Sequence, residues 1–120
     1  MNTTINTSDK LIFVNIKKSY EAMINHDTES PFYRDSLKEC TRKFWPVKDE
    51  KANVASHILG CYKGIVKEVI KISSSFTSEE EYPGRKVFEG EELEDSPYLG
   101  MDIRDIFDTL ANFRIKYYNM

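Results

Sequence analysis

Apolar residues run without a break from Leu11 to Val14, and Ile16 extends the run after a single polar Asn15. A short run rich in β-branched and aromatic residues predicts a strand over 11–16, buried on both faces and interior to its sheet. Tyr20, Met23 and Ile24 then recur at helical spacing, which predicts a short helix or helical turn within 17–27. Ser30-Pro31 pairs a good N-cap with the residue favoured at the first helical position. Phe32, Leu37, Cys40, Phe44 and Trp45 follow near one side of a helix, with Lys and Arg between them. Pro46 disfavours helical geometry in the residue before it, so the pattern predicts a helix over 31–45.

Two strands, 57–62 and 65–72, flank Lys63-Gly64, and Gly64 can supply the positive φ of a tight hairpin turn. The adjacent pair Val69-Ile70 breaks the alternation, which marks a bulge or a strand with little exposed face. The polar, acidic stretch 73–84 reads as a long loop, and 85–90 as a short strand between Gly84 and Gly90. Ile103, Ile106, Phe107 and Leu110 fall at i, i+3, i+4 and i+7, a helical stripe with Asp102 at its start. Residues 113–119 alternate apolar and polar as a closing strand does. This order predicts an α+β fold: a curved antiparallel or mixed sheet, or a small partly open barrel, with two to three packed helices. Residues 1–10 are expected to be a flexible N-terminus and 11–120 a single domain.

Composition narrows the function. The 120 residues suffice for one domain, and seven Phe, seven Tyr and one Trp supply bulky material for its core. A net charge of −3 excludes a protein that holds nucleic acid by broad phosphate neutralisation, although a local basic face is compatible with it. No apolar run reaches the roughly 18 residues that span a bilayer, and the first ten residues lack the features of a secretion signal. A cytoplasmic location without membrane partners is therefore expected, and in that reducing compartment Cys40 and Cys61 are expected as free buried thiols.

Candidate chemistry is sparse. His57 could act as a base, but no serine or cysteine pattern points to it, and neither His57 nor His26 has the spacing of a zinc site. The runs Glu79–Glu81 and Glu89–Asp95 read as solvated loops, and the five dispersed glycines form no phosphate loop. Neither metal nor cofactor is expected. The candidate ligand-binding residues are Arg42 and Trp45, Arg85 and Phe88, and Arg114 and Tyr117, because guanidinium groups grip phosphate while rings stack on bases. The plainer reading makes Trp45 and Phe88 core residues and pairs the arginines with carboxylates.

The segments 39–45, 64–69, 84–90, 98–100 and 115–119 resemble a family of small bacterial and phage-borne proteins. That family carries YEATRxxW, GIVxxV, GRxxFxG and YxGK motifs and a terminal NPIxYxN. Here Lys38 stands in place of the Tyr, Met101 in place of the Lys, and Phe113-Arg114 in place of Asn-Pro. The resemblance implies a common fold and repeated use of Thr41, Arg42, Trp45, Arg85, Phe88 and Gly90, and it supplies no activity. The element order is also similar to small PUA- and ASCH-type domains, which read RNA or modified bases. The expected function is a non-enzymatic binding module for a nucleotide or a nucleic-acid element. The alternative is a small protein–protein interaction protein of phage or mobile-element origin that inhibits a host or defence factor. A homodimer is one way to cover the exposed strand edges.

Overall fold

The uninterrupted apolar run becomes β1 (Leu11–Asn15), in a computed structural model that describes residues 5–107 and 114–120. The other elements are α1 (Lys17–Ile24), α2 (Leu37–Arg42), β2 (Lys43–Trp45), α3 (Asp49–Val54), β3 (His57–Tyr62), β4 (Ile65–Thr77), β5 (Lys86–Glu92) and β6 (Ile115–Tyr118). Among the described residues six strands form one mixed sheet in the order β2-β5-β4-β3-β1-β6, curled into a half-barrel, and three helices accompany it. The fold is α+β with a curved sheet. Its one parallel pair is β1 with β3, and the remaining neighbours run antiparallel.

Both faces of the sheet are covered, which explains why β1 has no polar alternation. Ile12 and Val14 join Ile58, Ile70, Phe88 and Trp45 on the face under the helices. Leu11 and Phe13 join Leu59, Val69, Tyr98 and Ile103 on the other, beneath the chain that follows β5. Phe13 there meets Phe107 edge-on, with ring centroids 5.3 Å apart. Val69 and Ile70 are both buried for the same reason. The bulge lies beside them: Gly60 faces Glu68 but Cys61 faces Val66, which leaves Lys67 as the extra residue. The hairpin turn is as expected, with Lys63 at φ 52° and Gly64 at φ 83°.

The predicted helix over 31–45 is shorter than the pattern suggests. Ser30 Oγ accepts from Phe32 N at 3.1 Å and closes a turn. The working N-cap is Ser36, whose Oγ accepts from Glu39 N at 3.2 Å, so α2 starts at Leu37. It stops at Arg42 because Lys43–Trp45 pair with β5. Packing of α2 is close. Thr41 is fully buried against Gly60 of β3, where a Cβ would overlap Thr41 Oγ1.

Three further differences follow from exposure. α3 escapes the pattern because Ala52 is its one buried residue, so it carries no apolar stripe. β4 continues through the serines to Thr77, paired with β5, where much of the ribbon is open to solvent. The C-terminal stripe begins as a 3-10 turn, Ile103–Asp105, with Asp102 Oδ1 accepting from Arg104 N; Leu110 of that predicted helix and Phe113 of the predicted closing strand lie outside the described residues. At the N-terminal side, Asn6 N donates to Tyr98 Oη, and Asn119 Nδ2 donates to the carbonyls of Asn6 and Asp9. Among the described residues no helix is long and apolar enough to cross a membrane. Cys40 and Cys61 are free and buried.

Candidate functional site

A cavity of about 620 Å³ opens beside β2 and the end of β1, where four stretches of chain converge with the start of β6. The first stretch follows β1. Asn15 Oδ1 accepts from Lys17 N at 3.0 Å, which turns the strand into α1 and places Lys17, Lys18 and Ser19 on the cavity wall. Asn15 N donates to the carbonyl of Arg114 at 3.0 Å, so the start of β6 brings Arg114 to the same end.

The second stretch is the 25–36 loop, which contributes Phe32 and Arg34. One Arg34 terminal nitrogen donates to the carbonyls of Tyr33 at 2.7 Å and Pro31 at 3.3 Å. Its Nε is buried without a hydrogen-bond partner, and its guanidinium lies 5.4 Å from the centre of the Phe44 ring. The third stretch is β2 itself, which lines the cavity with Lys43, Phe44 and Trp45. Trp45 is 9% exposed and donates its indole N–H to Thr41 O at 2.7 Å, so it forms a fixed wall.

The β4–β5 loop is the fourth. Ser78 N donates to Arg85 O at 2.8 Å and Gly84 N to Ser78 O at 3.0 Å, closing the loop on itself. That closure holds Tyr82 and Arg85 at the cavity. The Tyr82 ring lies 5.1 Å from that of Phe44, and Arg85 lies 5.6 Å over Tyr82. Tyr82 Oη also reaches across to Pro31 O at 3.4 Å.

The wall therefore carries six cationic side chains, Lys17, Lys18, Arg34, Lys43, Arg85 and Arg114, and four aromatic rings. Among the described residues no Asp or Glu lines it. Among the described residues, Lys43 alone of the six has a carboxylate within ion-pair distance, Glu39 at 3.0 Å. In a chain of net charge −3 this is a concentrated positive field in a concave site.

Of the six residues proposed from sequence, the cavity gathers Trp45, Arg85 and Arg114. Arg42 does not line it. Its guanidinium is bonded to Glu39, to Glu89 Oε1 at 2.8 Å and to Phe88 O at 3.4 Å, which clamps α2 to β5. Arg42 beside Glu39 holds that carboxyl down at about 2. Phe88 is a fully buried core residue. Tyr117 packs on the helix-covered face of the sheet with Lys51 5.3 Å over its ring. The plainer reading thus fits Arg42 and Phe88, and Trp45 is a buried core residue as that reading has it while also walling the cavity. Sequence reasoning missed Lys17, Lys18, Phe32, Arg34, Lys43, Phe44 and Tyr82. The Lys17-Lys18 pair directly behind a buried strand, and the Lys43-Phe44 step before Trp45, were the available signals.

Outside the cavity, the titratable groups of His57 and of Glu68 are the ones whose surroundings bear on chemistry. His57 Nδ1 is 2.7 Å from Ser56 Oγ, but that hydroxyl is already held by Lys10 N at 2.8 Å and Lys10 O at 3.1 Å, as part of the β1–β3 junction. Burial pushes the imidazole pKa down. On β4, Glu68 is 6% exposed, with Glu92 of β5 beside it. Burial first, and the neighbouring Glu92 second, push its carboxyl up to about 7. Among the described residues no group of three or more His, Cys, Asp or Glu is placed to hold a metal ion.

Comparison with family models, with curated proteins and with solved structures finds no match to this chain. The motif resemblance therefore rests on its own residues, and function rests on the site.

Proposed function

We propose that the protein is a binding module for a nucleotide unit, free or within a nucleic-acid element, and that the cavity beside β2 receives it. One observation carries this reading: six cationic and four aromatic side chains line one concave site, which has no carboxylate in its lining among the described residues. Guanidinium and ammonium groups attract phosphate, and aromatic faces accept a base of any identity. A volume of about 620 Å³ is within the range of sites that enclose one small organic ligand. Phe44 and Tyr82 offer the stacking surface, Trp45 backs it, and Arg85 and Arg34 flank it.

The test is the melting temperature of the pure protein against mono-, di- and cyclic nucleotides and short oligonucleotides. A ligand that binds only the native state raises it by an amount that grows with the logarithm of one plus the ratio of free ligand to Kd. Arg85→Ala and Tyr82→Ala are expected to weaken binding at least about tenfold, with melting of the free protein little changed. The ligand should be recovered chemically intact. A flat response to the whole panel overturns the reading, and turnover of the ligand overturns its non-enzymatic part.

A further inference from the structure

We infer that the natural occupant is a free nucleotide carrying a chain of phosphates, a nucleoside di- or triphosphate, and not a stretch of polymer. This rests on the nucleotide reading above and deepens it. The first ground is charge per volume. Five of the six wall cations lack a carboxylate partner among the described residues, and they surround space for about one nucleotide. One nucleotide within a strand brings about one negative charge. A phosphate chain brings roughly three to four, because its terminal group alone carries about −1.5 to −2. Only the latter balances the mutual repulsion of the cations.

The second ground is the division of the wall. Arg34 and Lys43 lie over Phe44, Arg85 over Tyr82 and Lys18 over Phe32, each within 5.6 Å of a ring centre. Lys17 and Arg114 touch no ring among the described residues, and the Asn15 N–H bond to Arg114 O ties the start of β6 to the strand end that Lys17 follows. The ring-bearing side suits a base, and the Lys17–Arg114 end suits the phosphate chain. The third ground is the rim. The adjoining groove shares Arg34 and Lys43 with the cavity but adds Asp35, Glu39 and Glu81, and Glu79 and Glu80 precede the latter in the same loop. A strand leaving on that side would carry its phosphates past carboxylates.

The experiment is calorimetric titration in EDTA at fixed salt. The probes are the mono-, di- and triphosphates of one nucleoside, inorganic triphosphate and a single-stranded decamer. The expected result is a fall in Kd of about tenfold or more from mono- to triphosphate, since each added phosphate gains charge-assisted hydrogen bonds. Inorganic triphosphate and the decamer should both bind more weakly than the nucleoside triphosphate. Lys17→Ala with Arg114→Ala should reduce the triphosphate-to-monophosphate ratio to near one while the monophosphate still binds. Both side chains are exposed, so folding is expected to survive, and the wild-type phosphate series decides the matter without them. Equal affinity for mono- and triphosphate, or tighter binding of the decamer, overturns this inference and leaves the nucleotide reading standing. Inorganic triphosphate binding as tightly as the nucleotide overturns the role given to the base. Absence of binding by every probe overturns both.

Discussion

Replacing Glu68 with Gln should make the protein more stable above neutral pH, an unusual outcome for removal of a charge from a sheet. Glu68 sits on β4 at 6% exposure, and its pKa is raised from 4.5 to about 7 by burial and by Glu92. In the unfolded chain the carboxyl ionises near its ordinary value. Between these two values the folded state holds the proton more tightly, so stability falls as pH rises. Glu68's favourable contribution is complete below about 4.5 and is lost as pH climbs through about 7. A difference of about 2.5 units corresponds to a ceiling of roughly 3 kcal/mol. The Gln side chain keeps the shape and removes the titration. Urea unfolding of both proteins from pH 5 to 9 should show curves that nearly meet at pH 5 and separate to a plateau of about 2–3 kcal/mol above pH 7. Subtracting the curves cancels every group that does not interact with Glu68, leaving Glu68 and its neighbour Glu92. Parallel curves, or a Gln variant less stable at pH 8, would refute the reasoning.

Arg42→Ala should cost about 1–3 kcal/mol of stability, because Glu39 and Glu89 lose their shared partner, yet leave nucleotide binding unchanged. Acid titration should then lose part of its dependence: Glu39, held at about 2, contributes stability that is present above 4.5 and lost as pH falls through about 2. Gly60→Ala should destabilise by more than about 2 kcal/mol, since its methyl overlaps Thr41 Oγ1. Adding Thr41→Ala removes that hydroxyl, so a double-mutant cycle by thermal melting should show a favourable coupling; strict additivity would contradict the packing described.

Where side chains meet a core, the sequence was readable. Leu11 to Val14 announced an interior strand because both faces of β1 are covered, and Lys63-Gly64 announced its turn through backbone geometry. The helix over 31–45 was misjudged because Ser30-Pro31 and Ser36 offer competing starts, and the choice depends on β5 recruiting Lys43–Trp45 as a strand. The site was half visible. Trp45, Arg85 and Arg114 stood out as residue types, but Lys17 and Tyr82 acquire meaning only when the sheet brings positions 15, 44, 82 and 114 together. Arg42 and Phe88 illustrate the opposite error, in which the side chains best suited to a ligand serve α2–β5 packing instead.

The placement of β6 has a consequence for how the chain survives its own synthesis. Among the described strands β1 is made before the others, yet one of its edges stays open until β6 arrives to pair with it. Until then Leu-Ile-Phe-Val presents an unprotected apolar edge, the kind of template on which chains aggregate. Arg114 lies at the start of that closing strand and Lys17 just beyond the strand it closes upon. If the proposed phosphate chain sits between them it would also fasten this seam, so the nascent protein should aggregate less when nucleoside triphosphate is abundant.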